Sequence, residues 1–319
     1  MADTVHTLSP RLDRNRLLHT PMASSTTRAL QQLLRRRSTI AFLMCLPLIL
    51  IVACLVVYPA LYSIYLSMLN KAQTRFIGLS NFSFLLSRDV FWMVVQQSAI
   101  FALTAVFFKA LIGLITAHLI NNLPTKGQRK WRGMLLVPWV IPPAMSTLAW
   151  LWLFDPSYSA FNWIFEHIGL RQVSWLGNVY VARFCVILVN VWVGSPFFMI
   201  MYLAALKSVP EQLHEAAAID GANWLQKIWY INLPMMRNII QITALISLIV
   251  TFANFDIVKI LTNGGPVDQT HVFGTWAFSL AIWGNDIPLG ASVSLFMAPL
   301  LAVAAFFILR NVRKRGNEA

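Results

Sequence analysis

From Val179 to Leu203 the chain reads VYVARFCVILVNVWVGSPFFMIMYL, and Arg183 is its only charged residue. That is enough apolar sequence to carry a helix across a ~30 Å hydrocarbon core, which takes roughly 20 residues. Five further runs of this kind lie at about Thr39–Leu61, Phe91–Leu119, Met134–Phe154, Asn238–Leu261 and Pro288–Leu309. The expected fold class is therefore all-α, a polytopic membrane protein with six transmembrane helices. Charged residues make up 12% of the sequence, against roughly 25% in soluble domains. Pro47 and Pro59 are expected to kink the first run, and Pro138, Pro142 and Pro143 to interrupt the third.

The connections divide by charge. Seven Lys/Arg precede the first run, four lie between the second and third, three between the fourth and fifth, and four follow the sixth. The intervening connections hold only Lys71, Arg75 and Arg88, then Arg171, then none. Basic residues mark the cytoplasmic side, so both termini are expected in the cytoplasm. The same placement accounts for the net charge of +13 and argues against nucleic acid, which needs a basic face on a folded soluble module. Residues 1–38 are Arg-rich and poor in large apolar residues, so a disordered tail is expected, with a short surface helix after Ser25. Residues 39–310 form the membrane domain and 311–319 a second cytoplasmic tail. Two connections have room for one short helix each: FIGLSNFSFLL, and DPSYSAFNWIFEHIGLRQVSWLGN. NGGPVDQTHVFGTWAFSLAIWGND reads as a long loop.

Several chemistries are excluded. Cys45, Cys54 and Cys185 sit inside apolar runs and offer neither a disulfide framework nor a metal-ligand spacing. No Gly-Lys-Ser/Thr triplet marks a phosphate-binding loop, and no nucleophile–base set stands out. The chain is expected not to be an enzyme and to hold no metal. Three cations lie inside the runs. Lys109, midway along the second, is a functional candidate by position, or else faces a wet cavity or pairs within a complex. Arg183 is expected to snorkel outward. Lys259 is expected to pair with Asp256 three residues earlier.

Aromatic and small polar residues gather in the third to fifth runs: Trp139, Asn190, Trp192, Gly194, Ser195, Phe197, Ser247, Thr251 and Asn254. Aromatic faces stack on the C–H surfaces of sugars, and amides and hydroxyls match sugar hydroxyls. Ser247, Thr251 and Asn254 recur at i, i+4 and i+7, one polar stripe on an apolar helix. Such a stripe avoids lipid; it lines a solute pathway or bonds helix to helix, and spacing alone does not choose.

Between the fourth and fifth runs lies SVPEQLHEAAAIDGANWLQKIWYINLP, Ser208 to Pro234. Ser208 and Glu211 have capping-box spacing, so a helix is expected to start at Val209–Pro210. Glu211 and Glu215 share a face. Asp220-Gly221 supplies a turn, and Trp224, Ile228 and Ile231 space a second short helix before Pro234 opens the next run. The whole reads as a helix–turn–helix at the membrane surface, shaped to dock.

This stretch resembles the EAA loop of permease subunits of binding-protein-dependent ABC importers. That loop is Glu-Ala-Ala, three residues, Gly, nine residues, Ile-x-Leu-Pro, and Glu215, Ala216, Ala217, Gly221, Ile231, Leu233 and Pro234 fill it here. VPEQLHEAAAIDGA, PWVIPP, VNVWVGSPFFMIM and FANFDIVKILTNGGP are similar to the carbohydrate-uptake branch, which includes the maltose, trehalose and glycerol-phosphate permeases. The resemblance implies the type I ABC importer permease fold and a multi-pass protein of the bacterial inner membrane. It implies that the loop is a coupling helix seated in the ATPase, with Glu215 facing an arginine there. It implies a second homologous permease subunit, an ATPase dimer and a periplasmic solute-binding protein as partners, with membrane lipid around the chain. ATP and Mg would sit on the ATPase and no cofactor on this chain. Carried over by motif, solute contacts fall on Trp139, Trp192, Gly194, Phe197, Ser247, Thr251 and Asn254. Pro143 and Trp139 stand where the maltose permease has a serine and a tyrosine, and its extra amino-terminal spans and external domain are missing here, so the identity of the solute does not transfer. Two alternatives remain: an ABC permease for a non-sugar solute, or an ion-coupled secondary carrier. The latter wants mid-membrane carboxylates, and only Asp256, toward the outer side, is on offer.

Overall fold

The computed structural model describes residues 37–316. The expectations for the amino-terminal tail before Arg37 lie outside the described residues. The chain divides at Leu61–Tyr62 into two compact units. In the first, helix α1 (Arg37–Val52) continues through Pro47 and a π turn (Ala53–Val57) into α2 (Tyr58–Ser67), whose last turns belong to the second unit. None of the described side chains from Ala41 to Leu61 is buried, as fits an apolar helix meant for lipid.

The second unit contains α3 (Ser80–Leu86), α4 (Asp89–Asn121), α5 (Thr125–Val140), α6 (Pro143–Leu153), α7 (Ala160–His167) and α8 (Val179–Lys207). It continues with α9 (Glu211–Ile219), α10 (Trp224–Lys227), α11 (Leu233–Phe252), α12 (Asp256–Leu261), α13 (Phe273–Phe278) and α14 (Ile287–Gly316). Among the described residues five helices are long and apolar enough to cross a membrane: Met44–Ser67, Asp89–Asn121, Val179–Lys207, Trp224–Phe252 and Ile287–Phe306. The sixth span is α5 and α6 taken together, bent by 88°. Ile141 is extended and Pro142 caps α6 with Pro143 in its first turn, so the prolines break the span and do not merely bend it.

The second unit is built on α4 lying against α8. They meet closely where Gly113 faces Phe198: a Cβ on Gly113 would stand 2.4 Å from the Phe198 Cβ and 3.0 Å from its carbonyl carbon. Lipid tails are as apolar as the side chains, so helices associate in a membrane by such close packing. At the end of the bundle that carries loop 208–234, Phe198, Met199 and Tyr202 of α8 are buried with Ala117, Ile120 and Met236. At the other end Phe154, Cys185, Val189, Ile257 and Val258 form a second cluster. A third joins Leu85, Phe91, Val94, Phe273, Trp276 and Val293.

Several expectations are corrected. The fifth span is a continuous helix from Trp224 to Phe252, not Asn238–Leu261. It starts earlier because Asn223 caps it, and a π turn (Ile228–Asn232) lets it run into Pro234. It stops at Ala253, and Asp256–Leu261 is a separate short helix. The loop after Leu261 contains an apolar helix, Phe273–Trp283, too short to span; Phe273 and Trp276 bury it against α4 and α14. Lys259 does not pair with Asp256. Its ammonium lies 3.7 Å from the Trp283 ring centroid and 4.3 Å from that of Phe278, a cation–π cage. Arg183 does not snorkel: its Nε donates to the Gln269 carbonyl (3.1 Å) and its Nη2 to the Gln269 side chain (2.5 Å), tying α8 to the loop before α13.

Candidate functional site

Two sites stand out, a docking loop at one end of the bundle and a polar cluster within it. In the loop, the capping box expected at Ser208 and Glu211 does not form. Ser208 ends α8 instead, its hydroxyl donating to the Ala205 carbonyl at 2.7 Å. Helix α9 begins at Glu211 behind Pro210 with no side-chain cap. The actual box is at Asn223: the Gln226 amide donates to Asn223 Oδ1 at 2.9 Å and the Asn223 amide to Gln226 Oε1 at 2.7 Å. The Asn-x-x-Gln spacing carried that signal in the sequence. Asn223→Ala is expected to loosen the start of α10 by about 1 kcal/mol, read as faster amide exchange over residues 224–227. Ser208→Ala should leave exchange over α9 unchanged.

The turn after α9 is a Schellman motif. Gly221 has φ +76°, its amide donates to the Ala218 carbonyl (3.1 Å), and the Ala222 amide donates to the Ala217 carbonyl (2.8 Å). Glu215, Ala216, Asp220 and Gly221 are exposed, and Ala217 is half-buried. Ile219, Tyr230 and Trp229 are 87%, 80% and 66% exposed. The loop therefore exposes large apolar side chains together with the carboxylates of Glu211, Glu215 and Asp220. Ile231 and Leu233 are half-buried, and Ile231 packs against the first core cluster. Leu233 and Pro234 open α11, which anchors the loop rather than presenting it.

Behind the loop a polar cleft of about 520 Å³ is lined by His118, Lys207, Glu211, His214, Lys227 and Asn232 among others. His118 Nδ1 lies 2.9 Å from the Leu114 carbonyl, an acceptor only, so that nitrogen carries the proton. The Asn232 amide then donates to Nε2 at 3.1 Å, a buried bond from the loop's π turn to α4. Sequence reasoning missed this pair because it spans 114 residues.

Within the bundle, Asn190, Gly194 and Phe197 recur at i, i+4 and i+7 of α8 and share one face. Phe197 stacks on Trp139 of α5, with ring centroids 6.2 Å apart at 29°. Gly194 lies against the aliphatic stem of Lys109, whose Nζ donates to Thr251 Oγ1 at 3.0 Å. Ser247 is buried one turn before Thr251 on α11. Asn254 lies beyond the end of that helix, with its amide on the Thr251 carbonyl at 3.1 Å. The expected three-residue stripe is thus two helical residues and one in the break. Ser195 donates within its own helix, to the Val191 carbonyl (2.6 Å). Trp192 lies on the other side of α8, edge-on to Trp150 (5.6 Å), in an apolar groove of about 250 Å³ with Ile112, Leu135, Pro138 and Met199. The structure therefore joins Trp139 to Phe197, and Gly194 to Thr251 through Lys109, and separates Trp192 from both. No group of His, Cys, Asp or Glu among the described residues is arranged to hold a metal.

Residues 109–315 match the family of binding-protein-dependent transport system inner membrane components. The chain is 31% identical over 284 residues to the trehalose/maltose transport system permease protein MalF of Thermococcus litoralis, covering 88% of this chain and 96% of that one. It is 27% identical over 281 residues to the sulfoquinovosyl glycerol transport system permease protein SmoG of Agrobacterium fabrum, covering 86% and 91%. In fold it is similar to a chain in the crystal structure of a bacterial ABC transporter that imports the acidic polysaccharide alginate. The TM-score is 0.78 at 23% identity, over 90% of this chain and 99% of that one.

Proposed function

Because the chain belongs to the family of binding-protein-dependent transport system inner membrane components, we propose that it forms half of the pathway of an importer for sugars or sugar derivatives. It is a multi-pass inner-membrane permease subunit of an ABC importer, and ATP hydrolysis resides on a separate subunit. The relatives named for trehalose and maltose and for sulfoquinovosyl glycerol support the sugar reading, as does the stacked pair Trp139 and Phe197.

The observation that carries the coupling role is the exposed α9, with Glu215 on it and Gly221 fixing its exit. In this reading α9 seats in an ATPase subunit, with Glu215 paired to an arginine there. The partner permease supplies the other half of the pathway, and a binding protein delivers solute to the opposite face. ATP binding and solute loading then shift the permease between two states through their differential contacts with each.

Orientation and coupling are tested together. A reporter active only in the cytoplasm should work when fused after Arg129 or Lys227 and stay silent after Gly169 or Asp268. Activity after Asp268 would overturn the orientation. In proteoliposomes the assembled complex should hydrolyse ATP faster when sugar-loaded binding protein is added, and the absence of any response would overturn the importer reading.

A further inference from the structure

Lys109 is the only lysine, arginine, aspartate or glutamate that is buried among the described residues, with 4% of its surface exposed. It lies midway along a membrane-spanning helix, where a charge is expensive. Its Nζ has three donors and, among the described residues, bonds only to Thr251 Oγ1. No carboxylate answers it: the one ion pair among the described residues is His271–Asp268, in the loop before α13. The lysine is not there by loose packing. A Cβ on Gly194 would stand 2.5 Å from its Cε and 2.8 Å from its Cδ, so α8 gives up a side chain to let the stem cross from α4 to α11.

Two more groups, one turn and three residues from its contacts Gly194 and Thr251, have no partners among the described residues. Asn190 is one turn from Gly194 on the same face, and Asn254 follows Thr251 at the break. The side-chain oxygens of both are buried and have no hydrogen-bond partner among the described residues. A cation with two free donors and two free acceptors are therefore carried by the segments that meet at Gly194 and Thr251. A neutral sugar satisfies the acceptors through its hydroxyls and leaves the cation unanswered. A sugar with one negative group satisfies both.

We propose that Lys109, held by Gly194 and Thr251, selects a solute that carries a single anionic group (carboxylate, sulfonate or phosphate) on a hydroxyl-rich frame. This rests on the sugar-importer reading and narrows it. The anion arrives and leaves with the cargo, so the site binds without a permanent internal counter-charge that would neutralise it.

The test uses cells lacking this gene, complemented with wild type, Lys109→Met, Lys109→Arg or Gly194→Ala, with membrane levels checked by immunoblot. Labelled maltose and trehalose serve as neutral probes; glucuronate, galacturonate and glucose 6-sulfonate, with one anionic group each, serve as acidic ones. Wild type should restore uptake of at least one acidic probe. Lys109→Met should lower that uptake by at least about thirty-fold at normal membrane level, and Lys109→Arg, which keeps the charge, should retain more. Gly194→Ala, which keeps the lysine and displaces it, should raise the KM for the acidic probe; this variant and Lys109→Arg decide the matter if Lys109→Met fails to insert. The proposal is overturned if Lys109→Met takes up the acidic probe at the wild-type rate. It is overturned equally if Lys109→Met and Lys109→Arg lose neutral and acidic uptake alike, which would make the lysine structural, its counter-charge on the partner permease. Restoration confined to neutral sugars overturns this inference and leaves the sugar reading standing. Restoration of no sugar overturns the sugar reading, and this inference falls with it.

Discussion

Gly113→Leu is expected to leave little folded protein in the membrane, while Gly133→Ala should leave the amount unchanged or slightly raised. Both glycines are helical, so propensity alone predicts a gain from either change. Their surroundings differ. A Cβ at Gly133 meets nothing within 4 Å, whereas one at Gly113 falls inside contact distance of Phe198, backbone included. Phe198 is fully buried against Tyr202, with ring centroids 5.7 Å apart at 84°, so it has nowhere to turn. Helices α4 and α8 would have to separate along their length, opening the cluster that holds Met199, Ala117 and Met236. Overpacking a dense core costs about 1–3 kcal/mol, and occasionally more. Membrane abundance and the midpoint of thermal aggregation in detergent both report this. Wild-type values for Gly113→Leu would mean that the crossing is looser than the structure shows.

The placement of the spans was legible because a membrane imposes a single rule, apolar sequence of sufficient length, and α4, α8 and α14 obey it along their length. Legibility failed where helices outrun the hydrocarbon. α10 and α11 form one helix whose first turns, capped by Asn223, belong to the docking loop and carry Gln226, Lys227 and Asn232, so the span was set to start too late. The apolar helix Phe273–Trp283 hid in a stretch opened by Gly-Gly-Pro, since eleven residues are too few to register as a span. The prolines at 142 and 143 were plain in the sequence, but the 88° angle between the two helices they separate was not.

At the docking loop, the motif's spacing identified the turn at Gly221 and the exposed Glu215 without any tertiary information, because both are local. At the polar cluster the sequence supplied the residue types but not their grouping. Periodicity on α8 divides Asn190, Gly194 and Phe197 from Trp192, and that division is readable at 100° per residue. That Lys109 crosses to Thr251, 142 residues away, is a fact of packing. So is the replacement of the Asp256–Lys259 pair by two aromatic faces: i,i+3 spacing permits an ion pair, and Trp283 offers the ammonium a nearer partner.

Gly221→Val should abolish stimulation of ATP hydrolysis by loaded binding protein, and Gly221→Asn should preserve much of it. The site is open: a Cβ at Gly221 would meet no atom within 4 Å, so a larger side chain does not collide with anything. What a valine meets is the backbone: at φ +76° a β-branched residue is strained by about 1–2 kcal/mol. Asparagine tolerates that region, so the pair separates conformation from size. Relaxing the strain means giving up the bonds from Gly221 and Ala222 to the last turn of α9 and re-aiming that helix. Glu215→Ala tests the other half of the device. It leaves the turn intact and removes the carboxylate, and loss of one partner of a desolvated charge pair costs about 2–5 kcal/mol. On the proposed pairing of Glu215 with an ATPase arginine, association with the ATPase should then weaken by about thirty-fold or more, and a carboxylate placed at that arginine together with Glu215→Arg should recover part of it. The affinity of the binding protein for its sugar should be unchanged in all three variants, because that site lies on another chain. If Gly221→Asn fails as completely as Gly221→Val, positive φ is not what the turn requires. If Glu215→Ala and Gly221→Val both respond to loaded binding protein as wild type does, the signal passes elsewhere, and the buried bond between Asn232 and His118 becomes the next element to break.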